Sequence, residues 1–258
     1  MPFSIQLLSL LTESVYRFGF WLFRHRLTHS EVSILGNLFR YYRDLKPQHQ
    51  IEFRKKLSFI LTAKKFVPRG GLGKITPEMK ILIGATIVQV TFGFPRVTLS
   101  HFKKILIYPD RYFSTISQTY HRGEVNPRLG IIVLSWPCFI EGFVDERDGI
   151  NLGIHEVAHA LKLENWIRSN DEFNFLNPKI WRSYEELAQR EMNLIRTGES
   201  DFFRKRGAEN EHEFFAVALE NFFEKPVPFK AQFPDLYQTL VMLLQQDPLI
   251  LGKDQIND

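Results

Sequence analysis

Residues 155–159 read His-Glu-Val-Ala-His, and this run constrains the fold more than any other feature of the chain. Two histidines four residues apart share one face of an α-helix, so a helix here turns both imidazoles toward a single ion. Glu156 lies about 100° around such a helix from His155, near enough to take a proton from water at the ion without filling a ligand position. Asn151 is a ready N-cap, and the small residues Ala158 and Ala160 suit close packing of a buried helix. An apolar strand-like run ends shortly upstream. These neighbours favour a metal helix over an ordinary pair of histidines.

The chain has one cysteine, Cys138, which rules out an intrachain disulfide and a cysteine-rich zinc site. A metal must therefore rest on histidines and carboxylates, and one Zn2+ ion suits the pattern. A mononuclear catalytic zinc keeps three protein ligands and leaves a fourth position for water, so a third ligand has to come from elsewhere. Spacing alone leaves Glu211, His212, Glu213 and Glu220 open, all in or near one helical segment; Glu213 and Glu220, seven residues apart, share a face.

Apolar periodicity predicts helices over 31–44 and 48–62, within a mainly helical stretch from 5 to about 63. Thr76 and Pro77 have the chemistry of an N-cap and first residue for a helix reaching about Phe92. Two β-rich runs, 104–108 and 130–136, imply a small sheet. Asp148-Gly149 predicts a turn before the metal helix, which runs to about Leu163. Further helices are expected over 180–196, 211–223 and 235–245, with Pro226 and Pro228 separating the last two. The expected division is an N-terminal helical segment over 1–64, packed on a core domain over 65–258.

At 258 residues and 44% hydrophobic content the chain can bury a substantial core, and its 24 phenylalanines read as packing residues first. No secretory leader is legible, so the cytoplasm is the expected location. A moderately apolar run at 3–11 lacks a basic lead-in, and Glu13, Arg17 and Arg24 interrupt the aromatic stretch at 14–23; a span needs about 20 apolar residues, so membrane spanning is not expected. That stretch fits a helix packed on its own domain better than one lying on a membrane surface. Residues 1–125 hold 19 Lys and Arg against 7 Asp and Glu, and the remainder 14 against 22, so the two parts carry +12 and −8. The basic charges are scattered and no nucleic-acid motif accompanies them, which argues against nucleic acid as a partner.

Several phrases beyond the metal helix resemble the Mlc titration factor A family of bacterial glucose-regulated metallopeptidases. They are Tyr108-Pro109-Asp110, Leu134-Ser135-Trp136, Asn151 before the metal motif, Glu213-Phe214-Phe215-Ala216-Val217 with Glu220, Phe222-Phe223-Glu224 with Pro226, Pro234 with Leu236-Tyr237, and Gln246-Asp247-Pro248. In family order they cover roughly residues 65 to 250. The resemblance implies an α+β, zincin-like (gluzincin) metallopeptidase fold, mostly helical with a small mixed sheet. It implies Glu213 as the third zinc ligand and peptide or protein as the substrate, hydrolysed by water that Glu156 activates at the metal. The family's name also implies a regulatory alternative, in which the chain sequesters a transcriptional repressor protein. By analogy with zincins, the strand ending at Leu134-Ser135-Trp136 is a possible edge for a peptide laid down as an added strand, with Trp136 as a core residue the equal alternative.

Two positions depart from the family pattern. Lys162 stands where an aspartate usually follows Leu161, replacing a carboxylate that would support an imidazole; it is expected to turn away or pair with Glu164 or Glu220. Glu220 is then a replacement support. Arg206 stands at the tyrosine position seven residues before Glu213, where a hydroxyl would stabilise an oxyanion; arginine carries a charge able to do the same.

Overall fold

The computed structural model describes residues 25–95, 97–114, 118–169 and 174–252. The expectations for 3–11 and 14–23 lie outside them, as does the start of the N-terminal helical stretch. Among the described residues no helix is long and apolar enough to cross a membrane.

Three helices open the described chain: α1 (His29–Leu38), α2 (Arg40–Asp44) and α3 (Pro47–Ala63). Thr28 and Glu31 form a reciprocal capping box at the start of α1. The single helix expected over 31–44 is divided, because Phe39 adopts an extended conformation (φ −119°, ψ 93°) and drives its ring into the core. After β1 (Lys65–Pro68) comes α4 (Pro77–Thr91), capped by the Thr76 hydroxyl, which accepts from the Met79 N–H at 3.2 Å. Twelve of its fifteen residues are buried, so α4 is the central strut of the domain.

A second segment supplies β2 (Lys104–Tyr108), β3 (Tyr112–Ser114), β4 (Thr119–His121), β5 (Gly123–Asn126), β6 (Ile131–Ser135) and the short α5 (Trp136–Glu141). The main sheet is ordered β1-β2-β6-β5, parallel except for β5, while β3 and β4 pair as a separate antiparallel ribbon. Mostly helical with a small mixed sheet, the architecture is α+β. Of the two readings of Leu134-Ser135-Trp136, the edge is contradicted, since β6 lies between β2 and β5 and Leu134 and Ser135 are buried; Trp136 opens a helix and packs, half-buried, against the core. Pro137 in the first turn of α5 explains that switch, since proline suits a helix start and cannot donate to a ladder. The exposed edge on that side is β5.

The remaining elements are α6 (Leu152–Ser169), α7 (Pro178–Thr197), a 3-10 turn (Lys205–Ala208), α8 (Glu211–Glu224), α9 (Pro226–Gln232), α10 (Pro234–Leu244) and α11 (Pro248–Leu251). One hydrophobic core runs from Leu35 through α4, the sheet, α6 and α8 to Leu244. Much of the phenylalanine content is spent here; Phe203 alone meets the rings of Phe214, Phe229 and Phe233 at centroid distances of 5.2–5.3 Å. Helix α8 is buried from Phe214 to Glu224, which forces its polar residues to find partners inside the protein.

Candidate metal centre

Helix α6 is capped by Asn151, whose Oδ1 accepts from the Ile154 N–H at 3.0 Å. One turn later it presents His155 and His159 on the same face, their rings perpendicular with centroids 4.7 Å apart and their Nε2 atoms 3.1 Å apart. Helix α8 approaches this face with its first turn. Asn210 caps α8, its Oδ1 accepting from the N–H groups of His212 and Glu213, and so fixes where Glu213 leaves the backbone. Glu213 Oε2 lies 3.2 Å from His155 Nε2, and Oε1 lies 3.4 Å from His159 Nε2. Among the described residues, His155, His159 and Glu213 form a three-residue group whose ligand atoms all lie within 4.8 Å of one another. Of the four downstream residues left open by spacing, Glu213 is the one in this group.

The donor chemistry fits a metal ion. The two Nε2 atoms facing one another at 3.1 Å are both lone-pair donors when each neutral ring carries its proton on Nδ1, and a carboxylate oxygen converges on the same point. Such an N2O set suits zinc. The far nitrogen of His155, Nδ1, meets Glu220 Oε1 at 2.5 Å, which directs Nε2 toward the cluster.

Two arginines around the 3-10 turn hold the carboxylates. Arg204 Nη2 donates to Glu220 Oε1 at 2.5 Å, and Arg206 Nε donates to Glu213 Oε2 at 2.5 Å. Burial pushes the Glu213 carboxyl up, but hydrogen bonds from His155, His159 and Arg206 outweigh it and hold the group well below the usual carboxylate range. Glu156 is buried beside the cluster, and that burial raises its pKa to about 7, against the pull of His155 and Arg206. A carboxylate poised near neutrality is matched to proton transfer.

Glu156 owes its place to the sheet edge. A Cβ built on Gly123 in β5 would stand 2.6 Å from Glu156 Oε1, so only glycine leaves room for the carboxyl. Lys162 turns away from the metal face, its Nζ lying 5.0 Å from the centre of the Trp181 ring. Its two expected acid partners are engaged elsewhere: Glu164 with Ser100 and the His101 N–H, and Glu220 with His155 and Arg204.

The sequence profile of the family described as glucose-regulated metallo-peptidase M90 matches residues 16–245. The chain belongs to this family. An uncharacterized protein of Synechocystis sp. is 27% identical over 278 residues, covering 97% of this chain and 99% of its own length. Proteins named Mlc titration factor A from Yersinia pestis and Yersinia pseudotuberculosis are each 28% identical over 224 residues, covering 80% of this chain and 82% of their own. Membership in a metallopeptidase family agrees with a metal centre built on α6 and α8.

Sequence reasoning missed Arg204 and Gly123 in this M90 chain. Arg204 carries no motif signal, being one of three basic residues in a row of three, and the role of Gly123 emerges only when β5 is packed on α6.

Proposed function

We propose that the chain is a zinc-dependent metallopeptidase of gluzincin type, with His155, His159 and Glu213 as the ligands of one Zn2+ ion and Glu156 as the general base. The observation that carries this reading is the convergence of two imidazoles and a carboxylate from α6 and α8, with a second, buried carboxylate alongside. Zinc held there would supply Lewis acidity toward a scissile carbonyl and toward water. Glu156 takes the proton of the attacking water and passes it to the leaving amine. Glu220 keeps His155 in the tautomer that offers Nε2. Arg206, with Nε committed to Glu213, has further N–H groups for charge developing on the substrate oxygen.

The peptide substrate is proposed to lie against β5, the free edge beside Glu156, rather than against Leu134, Ser135 and Trp136. Zinc analysis of the purified chain and cleavage of a broad fluorogenic peptide library test the reading together. One zinc per chain with cleavage supports it, and a zinc-free protein without cleavage removes it.

A second reading is favoured by the name Mlc titration factor A borne by the Yersinia relatives. In it the chain binds a transcriptional repressor, with charge complementarity guiding encounter. Such binding survives Glu156→Gln, and a low-salt pull-down that captures no repressor-like protein speaks against it.

A further inference from the structure

A cavity of about 1140 Å³ opens behind the metal helix, between α2, the start of α6, the end of α8 and the segments around Pro226 and Pro248. Glu224 and Asn151 form part of its wall, with the rings of Tyr41, Phe143 and Phe223 and the side chains of Arg40, Arg43 and Arg147 around them.

Four glutamates are buried among the described residues, and three have an evident positive counterpart. Glu156 faces His155 and Arg206 at the metal centre, Glu164 lies in the field of the buried Lys64, and Glu220 is held by Arg204. Glu224 differs. It is 7% exposed, and its two oxygens accept from neutral groups, Oε1 from Asn151 Nδ2 at 2.9 Å and Oε2 from the Gly149 N–H at 3.0 Å. Burial, with the negative charges of Asp148 and Glu220 adding to it, raises its pKa to about 8, and none of the cations of the same cavity, Arg40, Arg43, Arg147 and Lys225, is among the groups bonded to it. A carboxyl so placed takes up a proton or a cation from solution.

We propose that this cavity is a second binding site, taking the free amino end of a short peptide, with Glu224 as the counter-charge. A metal cation is the poorer occupant, because it needs a cage of oxygens and the groups beside Glu224 are N–H donors. An alkylammonium donates to the lone pairs that Glu224 keeps and tolerates aromatic walls. Arg40 is paired with Asp44 at 3.3 Å, and Arg43 and Arg147 in the same cavity suit the carboxylate end of a zwitterion. The volume holds several residues.

Asn151 ties this site to the metal centre. Its side chain donates to Glu224, and its backbone N–H donates at 3.1 Å to Glu220 Oε2, whose other oxygen meets His155. The proposal stands whether or not the metal centre cleaves peptides, since its test reads binding alone.

The test is calorimetric titration of tri-alanine into the full chain, zinc-loaded and carrying Glu156→Gln so that the probe is not consumed. Binding is expected for tri-alanine and not for its N-acetylated form. Adding Glu224→Gln should raise the Kd at least about tenfold, the loss of one buried charge pairing, with zinc content unchanged. Arg147→Ala, an exposed change on the rim that leaves the core intact, should weaken tri-alanine binding as well. No binding by the parent protein, equal affinity for the acetylated probe, or equal affinity in the Glu224→Gln protein would overturn the proposal.

Discussion

Glu220 Oε1 sits 2.5 Å from Nδ1 of His155, joining a fully buried carboxylate on α8 to the imidazole that opens the metal motif on α6. The pair is placed to do the orienting work proposed for the position that Lys162 occupies, and Arg204 offsets the cost of burying the carboxylate charge. Replacing Glu220 with glutamine keeps the shape and removes the charge. Zinc affinity, read by competition with a chromophoric chelator, should fall about 10–100-fold. An unchanged affinity would mean that His155 is oriented by something else.

Gly123→Ala is expected to separate catalysis from metal binding. The added Cβ meets Glu156 Oε1 at 2.6 Å, so Glu156, the proposed general base, must move while His155, His159 and Glu213 stay in place. Peptide cleavage should drop by about 10²-fold, the usual result of an ångström-scale misplacement, and zinc content should not change. Full activity in this variant would show that Glu156 does not need its present position.

Glu224 also predicts a pH dependence of stability. Its pKa is raised by burial from 4.5 to about 8, so below about 4.5 the folded and unfolded forms are both protonated and its contribution is complete. As pH rises toward 8, the folded state holds a proton that the unfolded state has released, and stability is lost. Glu224→Gln has no such proton to hold. Urea unfolding at pH 5 and pH 8, without added ligand, should show wild-type stability declining relative to the variant by more than about 1 kcal/mol. A constant difference between the two proteins would assign Glu224 an ordinary pKa.

Much of this was legible in the sequence because helix signals are local. Thr76, Pro77 and the spacing of apolar residues marked α4 closely, and α8 ends one residue beyond its expected limit; Asn151 marked the start of α6, which runs on to Ser169, past the expected end near Leu163. The sheet was read less well. β1 and β5 are four residues each and β3 and β4 three, too short for alternation to register, and β5 is half-polar because it is an edge. The analogy with zincins offered β6 as one possible edge, a place that β5 holds. At the metal centre the two histidines and Glu156 follow from one helix, whereas spacing left Glu213 one of several residues and only the family resemblance singled it out before α8 was seen docked on α6. Arg204, Gly123 and the double use of Asn151 are tertiary facts, since each depends on which elements pack together. The break at Phe39 is a case where burial of one ring overrode a continuous helical pattern.

The most direct test of the account compares the wild type with Glu156→Gln for bound zinc and for cleavage of the same fluorogenic peptide library. Both proteins should bind one zinc ion, and only the wild type should cleave, because the variant keeps His155, His159 and Glu213 but has no carboxylate to accept the proton. Cleavage by Glu156→Gln at the wild-type rate would contradict the assignment of Glu156 as general base.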